Sequence, residues 1–220
     1  MTTHEQRPQK KDNHEAEEAL IIGGGIAGPV TAMALQRAGI DPVVYEAYDT
    51  SAGLDAGAFL TVAAFLTVAV NGLDALRALD AHEPVLAAGL PTRSIEFFSG
   101  TGKRLGDIPI GGTLPDGTVS HTVRRADLYR VLHDEAIRRG IRIEHNRRLV
   151  DAETAQDGGI VAWFEGGTRA TGDLLIGADG IHSRTRRIID PAAPGPATPA
   201  WATSVGLPPT LRSTPSRAST

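Results

Sequence analysis

The sequence contains no cysteine among its 220 residues, and this absence removes three kinds of chemistry. Disulfide cross-links, catalysis by a thiolate and zinc sites with cysteine ligands are all excluded. Neither acidic nor basic residues predominate, because the net charge is only −4, and no basic face is evident in the sequence. We therefore expect no nucleic-acid partner.

Long hydrophobic runs are missing as well. The longest apolar stretch, about residues 56–70, is too short and too mixed to span a membrane. The first 17 residues are polar and lack the apolar core of a signal peptide. We therefore expect a cytoplasmic protein without a membrane partner, with a disordered arm at 1–17 and a disordered tail rich in Pro, Ala, Ser and Thr at 191–220.

The segment between these ends, residues 18–190, begins with a strand–helix–strand pattern. Apolar residues predict a buried strand over 19–23 and a second over 42–47. Between them, residues 26–38 predict a helix whose inner face consists of Ala27, Val30, Ala34 and Leu35. This order is typical of a βαβ unit with parallel strands and a right-handed crossover.

The rest of this segment completes an α/β fold with a parallel, Rossmann-like sheet. An antiparallel strand element is expected at about 90–123, preceded by a helix over 71–79 with Asn71 as its N-cap. Residues 125–140 predict the clearest helix, ended by Gly140. A hairpin around Glu165 then leads into a buried strand over 174–177.

A glycine motif, Gly23-x-Gly25-x-x-Gly28, joins the first strand to the first helix. In this context the glycines permit a tight turn, a close approach to a pyrophosphate and close packing of the helix on the sheet. Glu46, at the end of the second strand, is placed to accept a hydrogen bond from a ribose hydroxyl. The pattern predicts dinucleotide binding, and the alternative is a glycine-rich turn with a purely structural role.

A second strand-to-helix turn follows in "LLIGADGIHSRTRR", where Asp179 and Gly180 form the turn. This turn could face the same crevice as the glycine motif. The alternative is an ordinary turn in which Asp179 caps the following helix, because Asp-Gly is common in turns.

Four motifs in this order, "GGGIAG", "YEA", "RRADLYRVL" and "GADGIHSRTR", resemble the group A flavin-dependent monooxygenases, the para-hydroxybenzoate hydroxylase-like family. The resemblance covers about residues 19–189. It implies FAD as the cofactor, NAD(P)H as a co-substrate, and oxygen-dependent hydroxylation of an aromatic or polyketide-like small molecule.

The resemblance also implies which residues bind FAD, and no side chain stands out as a catalytic acid or base. Arg125 would lie near the phosphates and the ribityl chain, whereas His121 and His182 are expected to be structural or surface residues. The implied FAD-binding residues are Gly23, Gly24, Gly25, Ile26, Ala27, Gly28, Glu46, Ala47, Arg125, Asp179 and Gly180.

The chain departs from the family pattern near Pro196, and the C-terminal part of the family fold is expected to be missing. One of the many possible codon choices for residues 197–206 would read as the family-like peptide RYTGLGNFGR in the adjacent frame, and on this basis we expect a truncated or frameshifted gene. The exposed sheet edge that would result favours self-association. Two alternatives to a monooxygenase stay open: an inactive remnant that binds FAD weakly or only a partner chain, and an NAD-binding reductase.

A six-residue tandem repeat, "AFLTVA", occupies residues 58–63 and again 64–69. We interpret it as a local duplication in which one copy bulges or loops out. The alternative is a single, longer strand.

Overall fold

The computed structural model describes residues 18–49 and 65–196, and in them twelve strands and five helices. The strands are β1 (Glu18–Ile22), β2 (Asp41–Tyr45), β3 (Phe65–Val68), β4 (Gly89–Pro91), β5 (Ser94–Phe98), β6 (Arg104–Pro109), β7 (His121–Arg124), β8 (Arg142–Glu144), β9 (Leu149–Thr154), β10 (Ile160–Phe164), β11 (Arg169–Gly172) and β12 (Leu174–Gly177). The helices are α1 (Ala27–Arg37), α2 (Val70–Ala78), α3 (Glu83–Ala88), α4 (Arg125–Arg138) and α5 (Arg184–Ile189).

A four-stranded parallel sheet in the order β12-β1-β2-β8 forms the centre of the fold. The predicted βαβ unit is confirmed as β1-α1-β2, with β1 and β2 adjacent and parallel. Ala19, Leu20 and Ile21 of β1 are completely buried, because this strand has a strand partner on each side and packed layers on both faces.

Two apolar clusters cover opposite faces of the parallel sheet. On one face, Ile21 and Val44 pack with residues of α1, α2 and α4. On the other face, Leu20, Ile22 and Val43 pack with residues of β9 and β10, which belong to an antiparallel sheet of order β11-β10-β9. The alternation along β1 and β2 therefore divides their side chains between a helical layer and a second sheet.

The inner face predicted for α1 is half right, because Val30 and Leu35 pack against the helical core cluster and Ala27 and Ala34 do not. The buried residues of this helix are Gly28, Pro29, Ala32 and Met33, whereas Ala27 and Ala34 are exposed. The physical reason is the close approach at Gly28, where an added Cβ would lie 1.9 Å from the carbonyl oxygen of Gly23. The backbone contact fixes which side of the helix meets the sheet, and hydrophobicity alone does not reveal that contact.

The antiparallel insertion is confirmed, but it is larger than predicted. A three-stranded sheet of order β3-β7-β4 begins at Phe65, and the β5–β6 hairpin lies between β4 and β7 in the chain. Asn71 is not the N-cap of α2, because Ala69 occupies that position without a side-chain hydrogen bond and Asn71 lies inside the helix.

Several further expectations concern the edges of the described chain. The second copy of the repeat supplies β3, which pairs with β7, whereas the first copy lies outside the described residues. The predicted arm at 1–17 and residues 197–220 of the predicted tail also lie outside them. In residues 18–49 and 65–196, no helix is long and apolar enough to cross a membrane.

Three further sequence predictions are confirmed: the end of α4, the strand over 174–177 and the hairpin before it. Helix α4 ends at Arg138, and Gly140 follows with a φ of +79°, the left-handed conformation expected for a terminating glycine. The strand predicted over 174–177 is β12, and the hairpin before it is β10–β11. Strand β9, which the sequence analysis did not anticipate, completes that antiparallel sheet.

Candidate functional site

A cavity of about 670 Å³ lies where β1, β2 and β12 end, at the carboxyl edge of the parallel sheet. Its walls come from the turns that follow these three strands, from the first residue of α4 and from the connection between β8 and β9. This edge is where open α/β sheets bind their ligands, because the turns after neighbouring parallel strands meet there.

The glycine turn after β1 is held by two close contacts. Gly23 has a φ of +107°, and an added Cβ would lie 2.5 Å from the carbonyl oxygen of Ala178. At Gly28 the same atom would lie 1.9 Å from Gly23 O. Any larger residue at either position would therefore push apart two backbone segments of the site.

Gly25 differs from these two glycines because it faces open space. It lines the cavity, and an added Cβ would meet no atom within 4 Å. A ligand can therefore approach the backbone here without interference from a side chain. This cradle fits a pyrophosphate, the group whose close approach the middle glycine of the motif permits.

The N-terminus of α1 opens into the same cavity. Ile26 occupies the N-cap position without a side-chain hydrogen bond, and the first turn of this 11-residue helix contains no acidic residue. Both Ile26 and Ala27 line the cavity. The free N–H groups and the positive end of the helix dipole are therefore available to an anion.

Glu46 lies at the end of β2 and is 9% exposed. Its Oε2 accepts a hydrogen bond of 2.6 Å from the N–H of Gly24, and its Oε1 accepts one of 3.0 Å from the N–H of Tyr48. The carboxylate is thus fixed at the cavity wall while lone pairs remain for a further donor.

Asp179 uses its carboxylate to hold the turn that precedes α5. It accepts hydrogen bonds from the hydroxyl of Ser183 at 2.6 Å and from the N–H groups of Arg184 and Thr185 at 2.7 and 3.0 Å. Burial raises the pKa of Asp179, but the hydrogen bonds from Ser183, Thr185 and Arg184 outweigh it and leave this pKa below its ordinary value. The capping role is therefore present, and Asp179 and Gly180 also line the cavity.

Five arginines line the cavity against two carboxylates, Glu46 and Asp179; they are Arg125, Arg147, Arg148, Arg184 and Arg187. Several are already engaged: Arg147 pairs with Glu144 at 3.1 Å, and Arg184 donates to the carbonyl of Val150 at 2.6 Å. Arg125 has no ion-pair partner among the described residues. The excess of positive charge suits a ligand with two phosphates.

Tyr45 forms an apolar part of the cavity wall. Its ring stacks on Phe164 with 4.7 Å between the ring centroids, and the residue is 5% exposed. Burial, with a smaller contribution from the charge of Glu144, raises the pKa of Tyr45 to about 12. The phenol is therefore neutral at physiological pH and contributes packing rather than charge.

An aromatic stack supports the turn that carries Glu46. The rings of Tyr129 and His133 are 5.5 Å apart, and those of His133 and His145 are 5.6 Å apart. The Nδ1 atom of His145 lies 3.2 Å from the carbonyl oxygen of Tyr48. Burial, and then the charge of His145, lowers the pKa of His133, which favours the neutral imidazole inside the stack.

Most of the residues expected to bind FAD meet at this cavity. Gly23, Gly25, Ile26, Ala27, Glu46, Ala47, Arg125, Asp179 and Gly180 all line it. Gly24 and Gly28 are not among the lining residues: Gly24 orients Glu46 through its N–H, and Gly28 allows α1 to meet the turn. His121 is bound to its own segment at the carbonyl of Val119, whereas the exposed His182 lies on the cavity wall.

Sequence reasoning missed the wall formed by Tyr48, Arg147, Arg148 and Leu149. Arg147 and Arg148 from the β8–β9 connection and Leu149 at the start of β9 belong to no motif, and they reach the site because β8 pairs with β2. Two adjacent arginines a few residues after a short strand were the available signal, since the carboxyl ends of parallel strands share one edge.

Comparison with known proteins agrees with this geometry. The family described as FAD binding domain matches residues 16–215 of the chain. A 3-amino-4-hydroxybenzoate 2-monooxygenase of Streptomyces cremeus is 29% identical over 177 residues, which cover 79% of this chain and 42% of the relative. A FAD-dependent urate hydroxylase of Klebsiella pneumoniae is 31% identical over 171 residues, which cover 77% of this chain and 42% of the relative.

Solved structures show the same relationship. The crystal structure of Klebsiella pneumoniae HpxO complexed with FAD and uric acid has a TM-score of 0.63 and 29% identity, and the match covers 78% of this chain and 41% of that one. The chain thus spans less than half of the length of the relatives that it matches. Because the family match extends over most of the sequence and the fold agrees, the chain belongs to the FAD binding domain family.

Proposed function

We propose that this chain binds FAD across the carboxyl edge of its parallel sheet and forms the FAD-binding part of a flavin-dependent monooxygenase. The observation that carries this proposal is the convergence of three separate turns on one cavity. The turns that contain Gly25 and Glu46 belong to the first βαβ unit, the turn that contains Asp179 lies more than a hundred residues later, and each lines the same 670 Å³ cavity.

In this proposal each part of the dinucleotide has its own partner. Gly25, whose added Cβ would meet no atom within 4 Å, and the N-terminus of α1 would hold the pyrophosphate. The carboxylate of Glu46, fixed by the N–H groups of Gly24 and Tyr48, would accept a hydrogen bond from a hydroxyl of the adenosine ribose. Arg125 supplies an uncommitted positive charge beside the phosphates, and Asp179 and Gly180 close the site on the opposite side.

The residues of this chain bind and orient the cofactor, and FAD itself would supply the redox chemistry between NAD(P)H, oxygen and the organic substrate. We propose an aromatic or polyketide-like small molecule as the substrate class of the whole protein. This proposal is supported by the names of the two relatives described above, a 3-amino-4-hydroxybenzoate 2-monooxygenase and a urate hydroxylase. NAD(P)H as co-substrate and a cytoplasmic location stay predictions from the sequence.

The test of FAD binding is a titration of the purified chain followed by flavin fluorescence, with Gly25→Ala as the informative variant. The added methyl group points into the open cradle, so we expect the Kd for FAD to rise at least about tenfold, which corresponds to 1.4 kcal/mol. Gly100→Ala is the matched control, because its Cβ also meets no atom within 4 Å but lies outside the cavity. Equal FAD affinity of the two variants would contradict the proposed cradle.

The position of Glu46 also fits a second candidate function, that of an NAD-binding reductase. The carboxylate of Glu46 suits any dinucleotide with a free 2′-hydroxyl, including NAD. Tighter binding of NAD than of FAD in the same titration would favour an NAD-binding reductase. Saturable FAD binding without NAD(P)H oxidation, in the presence of aromatic acids as trial substrates, would favour a chain that binds the cofactor but does not catalyse turnover alone.

A further inference from the structure

A tyrosine and two histidines form the aromatic stack that supports the turn carrying Glu46. Tyr129 and His133 lie one turn apart in α4, and His145 follows β8. The ring of His133 is the middle one, with its centroid 5.5 Å from that of Tyr129 and 5.6 Å from that of His145. The integrity of the stack therefore depends on His133, the member that contacts both of the others.

His145 connects the stack to Glu46 through the backbone of Tyr48. Its Nδ1 atom lies 3.2 Å from the carbonyl oxygen of Tyr48, and the N–H of Tyr48 donates to Glu46 Oε1 at 3.0 Å. A carbonyl oxygen only accepts, so Nδ1 of His145 carries the proton in this contact, and a charged imidazole carries it as well. Protonation of His145 alone therefore keeps its contact with the turn.

His133, in contrast, is poorly placed to carry a charge. Its Nε2 atom is buried and has no hydrogen-bond partner among the described residues. A charged imidazole has an N–H at both ring nitrogens, so protonation would bury an unpaired donor. Burial and then the charge of His145 lower the pKa of His133. The charges of Asp134 in the same helix and of Glu46 after β2 act in the opposite direction with smaller effects, so the neutral ring is favoured.

We propose that His133 is a pH-sensitive positioning residue: its neutral ring keeps the stack closed against the turn of Glu46 and Tyr48, and its protonation opens the stack and weakens the binding of FAD. The part that concerns FAD rests on the proposed function. The direction follows from linkage, because an imidazole in the open stack has the ordinary pKa of 6.5 and takes up a proton before the buried one does. The closed stack is therefore fully favoured above about pH 6.5 and is lost progressively as the pH falls below this value.

The first test is hydrogen exchange at the N–H of Tyr48 in the purified chain, measured by NMR without FAD. The exchange rate is expressed as a protection factor, which reports how often the turn opens and is corrected for the intrinsic effect of pH. We expect the protection factor to fall about tenfold from pH 7.5 to 5.5, the change that uptake of one proton with a pKa of 6.5 produces. A protection factor that stays constant over this range would overturn the inference.

Two neutral variants separate the ring of His133 from its titration. His133→Phe keeps a ring in the stack, and we expect it to have the wild-type protection factor of pH 7.5 at both pH values. His133→Gln loses the ring and is expected to show lower protection, again without a change between the two pH values. His121→Phe is the matched control, because His121 is held at the carbonyl of Val119 outside the cavity, and it should keep the tenfold fall. A tenfold fall in either neutral variant would refute the role of His133.

The second test is the Kd for FAD at pH 7.5 and 5.5, which separates this inference from the proposed function. We expect acid to raise the Kd at least about threefold in the wild type and less than about twofold in His133→Phe. A wild-type Kd that is equal at both pH values would refute the inference and leave the proposed function standing. Absence of FAD binding at pH 7.5 would refute the proposed function, and the protection factors decide the role of His133 in the turn independently.

Discussion

Strands β1 and β5 have similar compositions and opposite environments. Each contains five residues, most of them apolar, yet Leu20 and Ile21 of β1 are completely buried, whereas Ile95 and Phe97 of β5 are 49% and 44% exposed. The difference lies in their neighbours: β1 has two strand partners and two covering layers, whereas β5 pairs only with β6 among the described residues. The apolar side chains of a strand are therefore buried only where neighbouring strands and layers cover them.

The hairpin also has a polar side that accentuates this contrast. Arg104 forms ion pairs with Glu96 and Asp107, whose register places them on the face opposite Ile95, Phe97 and Ile108. A two-stranded hairpin with one bare apolar face is marginal in water. We therefore expect the parallel sheet to be stable by itself. We propose that the apolar face of the hairpin packs against a second copy of the chain.

We expect the largest difference in stability between the parallel sheet with its covering helices and the hairpin when a glycine is replaced by alanine. Gly28→Ala places a Cβ 1.9 Å from Gly23 O in the buried core of the site, and we expect a loss of more than about 3 kcal/mol in the free energy of unfolding. Gly100→Ala, near the hairpin turn, meets no atom within 4 Å and is expected to change stability by less than about 0.5 kcal/mol. Thermal unfolding checks both, and melting temperatures within about 2 °C of each other would remove the contrast.

Truncation of a strand side chain gives the next largest effect. Leu20→Ala removes a completely buried side chain of β1, and we expect it to cost about 3 kcal/mol in urea unfolding. Ile95→Ala in β5 is expected to cost less than about 0.5 kcal/mol. A large cost for Ile95→Ala would mean that the apolar face of the hairpin is already covered in solution.

The parallel sheet with its covering helices and the β5–β6 hairpin should also differ in how their stability responds to acid. Hydrogen bonds from Arg138, opposed by burial and aided by Arg139, lower the pKa of Glu135 in α4 from 4.5 to about 2. The folded-state pKa lies below the ordinary value, so the ionised carboxylate stabilises the fold above about pH 4.5, and this contribution is lost as the pH falls toward 2. Glu135→Gln should therefore be less stable than the wild type at pH 7 by about 2 kcal/mol, with the difference shrinking toward pH 2.

The half-exposed hairpin carboxylate provides the comparison. Glu96→Gln removes the ion pair with Arg104, in which both side chains are 54% exposed, and is expected to change stability by less than about 0.5 kcal/mol at any pH. Urea unfolding at pH 7, 4 and 3 measures both variants. A constant deficit of Glu135→Gln across this range would show that its cost does not arise from the charge.

The smallest expected effect concerns self-association through the hairpin. Phe97→Asp puts a charge on the apolar face, and we expect it to raise the dimer Kd about tenfold in sedimentation velocity, because a desolvated contact is lost. Ser94→Asp adds the same charge to the opposite face of the same strand and should leave the dimer unchanged. A wild-type chain that remains monomeric at high concentration would exclude this use of the hairpin.

Features that depend on short stretches of chain were predictable from the sequence. The glycine turn, Glu46, α4 and the turn at Asp179 each follow from a few neighbouring residues, and the structure places them as expected. Arg147 and Arg148 were missed because they reach the site through the pairing of β8 with β2, between strands nearly a hundred residues apart. Glu135 was missed because an apolar periodicity contains no signal for a buried carboxylate with two adjacent arginines as partners.

The hydrogen bonds that fix Glu46 have a consequence for the kinetics of nucleotide exchange. Gly24 and Tyr48 hold the carboxylate in place before a ligand arrives, so the encounter requires no rearrangement of this side chain. A nucleotide that lacks the 2′-hydroxyl should therefore associate at the same rate as its parent and dissociate faster. Stopped-flow measurement of the association and dissociation rates of both nucleotides tests this expectation. If Glu46 is held in place before binding, only the dissociation rates should differ.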